Sequence, residues 1–391
     1  MAEWANWSGN VTAAPARVEA PATEAEVVAA VQRAVDDGLA VRPAGSRHSF
    51  VPLCATDGVA LDLHGLAGIE SVDQDRRTAT VLGGTRIAAL GEPLRHAGLA
   101  LHNQGDVDTQ TITGAIGTGT HGTGPGLRNL SSAVVGARIV TATGEVVVCA
   151  PTEHADLYEA ARLSLGALGV ITAVTIRCEP AYNLHERIWF EGPDESLARI
   201  AERIAATRHY EFWWHPQRDL FEHKALDPTT ELPDPLPDRK RERIDESHRV
   251  FPSVRERRFN EMEFAVPAEA GEACFRQVRH LVQSRFTTLE WPIEYRTLAA
   301  DDVWLSPAYG RPTVTISVHE GADLAYENLF GECEAIFRAH DGRPHWGKLH
   351  AFGPADLARH YPRWSHFASA RDAVDPDGVF LNPYLHALLR P

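Results

Sequence analysis

The chain of 391 residues has no apolar run of the roughly 20 residues that a bilayer-spanning helix requires, so a transmembrane span is not expected. Its opening, MAEWANWSGN, has neither a basic stretch nor an apolar core, so no secretory signal is expected there. Cysteine is sparse: five residues, Cys54, Cys149, Cys178, Cys274 and Cys333, with no CxxC pair. That spacing argues against a disulfide framework or a cysteine-held zinc ion. It points to buried or incidental thiols in a reducing compartment, with the cytoplasm as the expected location. Histidine is plentiful at 19, yet no HExxH occurs, and no metal is expected. Basic charge is in deficit: 38 Lys and Arg against 53 Asp and Glu give a net charge of −15, which argues against nucleic acid as a partner.

What is present is an ordinary globular composition, long enough for two domains. TEAEVVAAVQRAVDDG predicts a helix with Thr23 as N-cap, Glu26 completing a capping box, and Gly38 as its stop. Its apolar face would carry Val27, Val31, Ala34 and Val35. LAVRP, GVALDL and RTATVLGG predict strands, and TRIAALGEPLRHAG a helix bearing Ile87, Leu90 and Leu94. GARIVTATGEVVVCAP predicts a hairpin turning at Thr143-Gly144, and GALGVITAVTIRCEP an apolar strand. After Glu179 the character changes. Most tryptophans follow, as does LDPTTELPDPLPDRKRERIDESHRVFPSVRERRF, whose offsetting charges predict a solvated loop around a short helix. PIEYRTLAADDVW and TVTISVHE predict two more strands, and the tail DPDGVFLNPYL is apolar enough to dock on a core. The expected domains are 1–178, 179–375, and a segment 376–391 returning to the first.

Two small-residue loops stand out, VRPAGSRHSF and TITGAIGTGTHGTGPG. The second contains Gly117-x-Gly119-x-x-Gly122, but no apolar strand precedes it and Gly124-Pro125-Gly126 follows, so the nicotinamide-binding βαβ reading fails. A winding loop that turns backbone N–H groups toward an anion, with Thr111, Thr113, Thr118 and Thr120 adding hydroxyls, accounts for the run better than a ligand-free loop.

Taken with NWSGN, NQGDVDTQTITGAIGTGTHGTG, LGALGVIT, EYRTLAADDVWLSPAYGR, HWGK and DPDGVFLN, these loops resemble the vanillyl-alcohol-oxidase-type flavoproteins over essentially the whole chain. Within them the chain is most similar to the sugar-1,4-lactone oxidase (gulono- and arabinono-lactone) and alditol oxidase branch. The resemblance implies an α+β fold: a two-lobed FAD-binding domain of the p-cresol-methylhydroxylase (PCMH) type, and an α+β cap domain with an antiparallel sheet. It places FAD against Pro43, Ala44, Gly45, Ser46, Arg47, His48 and Ser49, against Gly105, Thr111, Gly114, Thr118, Gly119, His121 and Gly122, and against Gly169, Val170 and Ile171. It also implies a covalent bond from His48 to the flavin 8α-methyl group. Relatives commonly carry glycine where this chain has Arg47, so a left-handed backbone there would strain it.

Oxidising a CH–OH group requires loss of a hydride and a hydroxyl proton, and a cation to stabilise the reduced ring. The resemblance assigns these roles to Glu294, Arg296, Lys348 and His319, with Asp106, Ser317 and His345 as substrate contacts. Lys348 also belongs to the expected cofactor set. Glu294 and Arg296, two apart in a strand, would share a face. Read alone, the pair fits a surface ion pair and Lys348 an exposed lysine. Gly105 leans toward dioxygen as acceptor, because relatives that exclude oxygen carry alanine there. The expectation is an FAD-dependent oxidase of an aldono-1,4-lactone releasing hydrogen peroxide, with an alditol oxidase or a lactone dehydrogenase as the alternatives.

Overall fold

The computed structural model describes residues 4–234, 241–253 and 256–390. The part of the charged run at 235–240 and 254–255 lies outside the described residues. The fold is α+β. In the N-terminal half, Arg17–Glu19, Val59–Asp62 and Val41–Ala44 form a parallel three-stranded sheet. A second, antiparallel sheet of five strands runs in the order Val146–Cys149, Val134–Val140, Val170–Arg177, Thr78–Leu82, Ile69–Asp73. The helix Glu24–Asp36 packs Val27, Ala30, Val31 and Ala34 into a core shared with Val41, Val59, Leu61, Val140 and Val170. Thr23 accepts from Glu26 N–H as expected, but the Glu26 carboxylate accepts from Ala22 N–H. Val35 falls off the buried stripe and is 40% exposed. The expected helix near residue 90 is broken into a 3₁₀ turn, Ile87–Ala89, and a short helix, Gly91–His96, although Ile87, Leu90 and Leu94 are all buried.

The C-terminal half is built on an eight-stranded antiparallel sheet. Its order is Glu242–Glu246, Asn183–Glu191, Leu220–Thr229, His209–His215, Ile293–Leu298, Thr313–Gly321, Phe259–Pro267, Arg343–Pro344. The charged run therefore contains an edge strand, Glu242–Glu246, as well as the short helix Ser247–Val250. Pairing with Asn183–Glu191 satisfies its backbone, which a solvated loop would have left to water. One face of the sheet is aromatic. Tyr295 stacks on Phe212 at 4.7 Å, and both meet Phe275 of the helix Gly271–Arg285. Strand alternation then sends Glu294, Arg296, Ser317, Glu261 and Glu263 to the opposite face.

The tail packs against the N-terminal sheet. Val41 N–H donates to Val379 O, Asn382 Nδ2 donates to Pro52 O and Ala55 O, and Phe380 is fully buried beside Val27 and Val41. Arg42, also buried, donates to Leu53 O, Leu165 O, Gly166 O and Phe380 O, joining three distant segments.

Candidate active site

The glycine-rich segment is a helix where a loop was expected. Ile112–Thr118 is helical because Thr111 caps it, accepting from Gly114 N–H, and Gly119 (φ +77°) ends it in the left-handed region. The hydroxyls of Thr113 and Thr118 are spent on Gly83 O and Gly114 O. A Cβ on Gly45 would stand 2.1 Å from Thr111 Oγ1, so glycine alone lets the two small-residue segments close on each other.

Between them lies a long cavity enclosing about 1140 Å³ of space, open mouth included. Pro43, Gly45, Ser46, Arg47, His48 and Ser49 line one side, with Thr111, Gly114, Thr118, Gly169, Ile171 and Lys348 around them. Ala44 and Val170 are instead core residues. Gly119 packs on Leu163, and a Cβ on Gly122 would stand 2.3 Å from Asn103 Oδ1, so both shape the segment without lining the cavity. Glycine backbone, serine and threonine, and the cations of Arg47 and Lys348 are among the lining groups, together with the rings of Trp7, Phe50 and Phe259. That donor set fits a long ligand with a flat aromatic ring and a pyrophosphate, the two chemistries of FAD.

Arg47 does adopt the left-handed region, φ +59°. His48 is held at about 4, because burial and then Lys348 disfavour its cation; its ring is neutral near pH 7.

A second cavity of about 550 Å³ shares Val107, Gln110, Phe259, Glu261, His345 and Lys348 with the first. Its walls also carry Gly105, Asp106, His121, Glu294, Arg296 and His319. Arg296 Nε donates to Glu211 (2.6 Å), and its Nη2 donates to Asp106 (2.8 Å). The same nitrogen lies 2.8 Å from Glu294 Oε1, off the line of an N–H bond, so that oxygen accepts no aligned hydrogen bond. Lys224 completes the group, 3.1 Å from Glu211 and 3.3 Å from Asp106. Burial pushes Glu294 up to about 7; Arg296 opposes this, while Glu211 and Asp106 reinforce it.

Facing this group, Lys348 pairs with Glu261, whose other oxygen lies 3.6 Å from His319 Nε2. Burial would raise Glu261, but Lys348 and His319 hold it well below the usual carboxylate range. His319 Nδ1 donates to Pro292 O, so Nε2 is the nitrogen left for the cavity. Ser317 does not line the cavity: its hydroxyl donates to Glu263, which also receives His121 Nε2 at 2.7 Å. His121 Nδ1 faces Gly122 O, so both ring nitrogens face acceptors and the imidazole is raised in spite of burial. His345 accepts from Gly347 N–H at Nδ1 and is lowered to about 4, chiefly by burial.

Sequence reasoning missed Glu261, Glu263, Glu211 and Lys224. The signal was available in part: EMEFAV places two acids with a two-residue period inside an otherwise apolar strand.

Residues 15–150 match the family described as FAD binding domain, and residues 235–388 match D-arabinono-1,4-lactone oxidase. The chain is 39% identical to L-gulono-1,4-lactone dehydrogenase of Mycobacterium tuberculosis, covering 99% of both proteins. It is 32% identical to alditol oxidase of a Streptomyces species, covering 98% of each. With L-gulonolactone oxidase of Bos taurus it shares 27%, over 97% of this chain and 96% of the relative. Cholesterol oxidase from B. sterolicum has the same fold, with a TM-score of 0.87 at 17% identity over 99% of this chain and 96% of that one. The chain belongs to the vanillyl-alcohol-oxidase-type, PCMH-fold family of FAD-dependent oxidoreductases, in the branch of sugar-lactone and alditol oxidases and dehydrogenases.

Proposed function

We propose that the protein oxidises a CH–OH group of an aldono-1,4-lactone, with dioxygen as electron acceptor. The observation that carries this reading is the wall shared by the two cavities: Lys348 and Glu261 line both, and Glu294, Arg296 and His319 line the second. Bound FAD supplies the hydride-accepting ring. Arg296, already fixed by Glu211 and Asp106, offers a rigid cation to the reacting oxygen. Glu294, with an oxygen lacking an aligned donor, binds a neighbouring hydroxyl. His319 Nε2 is placed to accept the hydroxyl proton, with Nδ1 anchored on Pro292 O to fix the tautomer. Lys348 brings an ammonium to the boundary between the cavities. His48 is the proposed point of covalent attachment to FAD.

A second reading, a lactone dehydrogenase with an acceptor other than dioxygen, is favoured by the 39% identical relative of that name. Anaerobic mixing with lactones and with polyols tests the substrate: bleaching by lactone and not by xylitol is expected, and the reverse selects the alditol reading. Admitting air tests the acceptor. Reoxidation within seconds is expected; a reduced ring that persists for minutes selects the dehydrogenase. Lys348→Ala is predicted to slow flavin reduction by about 100-fold, in the range of removing one stabilising donor, with FAD still bound. Near-normal reduction would remove Lys348 from the chemistry.

A further inference from the structure

The turn Asn6–Asn10 has no part in the chemistry above, yet its hydrogen bonds converge on the loop that presents His48. Asn6 Nδ2 donates to Ser49 O (2.9 Å), Asn10 Nδ2 to Phe50 O (2.9 Å), and Trp7 N–H to Arg47 O (2.9 Å). The backbone is thus gripped on both sides of His48. The indole of Trp7 stacks on the imidazole itself, centroids 5.5 Å apart and planes at 30°. The turn is in turn closed by Asn6 Oδ1, which accepts from Gly9 N–H and Val11 N–H. From the other direction, Thr109 Oγ1 lies 2.8 Å from His48 Nε2. Nδ1 has no hydrogen-bond partner among the described residues.

Arg47 explains why such a grip is needed. A left-handed arginine is unfavourable and persists only where its surroundings over-determine it. Here Asp62 stands 3.7 Å from the guanidinium, the ring of Trp4 lies 5.7 Å below it, and Trp7 N–H holds its carbonyl. Two of those three contacts come from the same N-terminal segment.

We propose that the turn Asn6–Asn10 and Thr109 are positioning residues for His48, fixing its ring plane and leaving Nδ1 as the nitrogen that joins the 8α-carbon of FAD. This rests on the reading of His48 as the point of attachment. In the balanced step a C–N bond forms at Nδ1, one C–H bond of the 8α-methyl group breaks, the ring then gives up its Nε2 proton, and two protons leave in all. Two electrons enter the ring and pass on to dioxygen of the aerated medium. Thr109 accepts from Nε2–H while Nδ1 attacks, and the neutral ring supplies the lone pair.

The test uses purified full-length holoenzyme and measures the fraction of protein-bound flavin that survives acid precipitation. Wild type is expected to keep its colour, and His48→Ala to release all of it. Trp7→Ala and Thr109→Val, yellow before acid, are expected to retain at least tenfold less, while Trp7→Phe, which keeps a stacking ring, retains nearly all. Wild-type retention in both Trp7→Ala and Thr109→Val would overturn the proposal. Should wild type itself release its flavin, the attachment reading falls, and the grip is judged by FAD loss on dialysis. Trp7→Ala losing FAD faster than wild type then supports the grip, and equal loss overturns it.

Discussion

Glu294 shows how much a single residue's environment decides. Three carboxylates, Asp106, Glu211 and Glu294, surround two cations, Arg296 and Lys224, and the acid without an aligned hydrogen bond is raised to about 7. Its ionised form is the stronger acceptor for the neighbouring substrate hydroxyl that it binds, so losing the proton tightens that contact. Flavin reduction is therefore expected to rise as pH passes through about 7, and Glu294→Gln to give a flat profile from pH 6 to 8. A transition that survives in Glu294→Gln would assign it to another group. Gly105 illustrates the opposite case. A Cβ there would meet His121 O at 2.8 Å, so packing of the segment by itself already favours glycine at this position on the cavity wall. Neither conclusion was legible in the sequence, which names residues without their neighbours.

At the scale of the element, periodicity told more. Glu294-x-Arg296 and Ser317-x-His319 sit on strands, and alternation sends each pair to one face, as the sequence implies. Register then sets Glu294 opposite Ser317, and His319 opposite Glu261, a partner 58 positions away that no local pattern reveals. The segment Ile112–Thr118 departs from the expected loop for a related reason. Its glycines lower helix propensity, but a Thr111 cap and burial of Ile112, Ala115 and Ile116 outweigh the cost. Gly45→Ala should expose this dependence, because the new methyl displaces the capping hydroxyl. A loss of about 1–2 kcal/mol, typical of a lost N-cap, is expected in urea unfolding, with weaker FAD retention. Unchanged stability would mean that the loop moves aside freely.

Over the whole molecule, buried histidines set the pH range of stability. Burial is the leading cause that lowers His209 and His223 to about 3 and His345 and His350 to about 4. Below the ordinary histidine value of about 6.5 the unfolded chain takes up protons that the fold refuses, so stability falls as pH drops from there toward 4. Glu294 and Asp301, raised to about 7 and about 6, and His121, also raised, act in the opposite sense, but the lowered histidines, which include His48 and His102, outnumber them. Thermal melts are expected to show a Tm that declines between pH 6.5 and 5; a constant or rising Tm would contradict this balance.

Composition, spacing and strand period by themselves determined that the chain carries two small-residue segments, strands with paired charges on one face, and an apolar tail fit to dock. Those are local properties, written within a few residues of each other. Only the tertiary structure decided which charges meet: Lys348 with Glu261, Arg296 with Asp106 across 190 positions, and Trp7 with His48. The reason is physical. Alternation fixes which way a side chain faces, but ionisation and hydrogen bonding depend on what else is buried within a few ångströms, and that is settled by sheet register and packing between segments far apart in the chain.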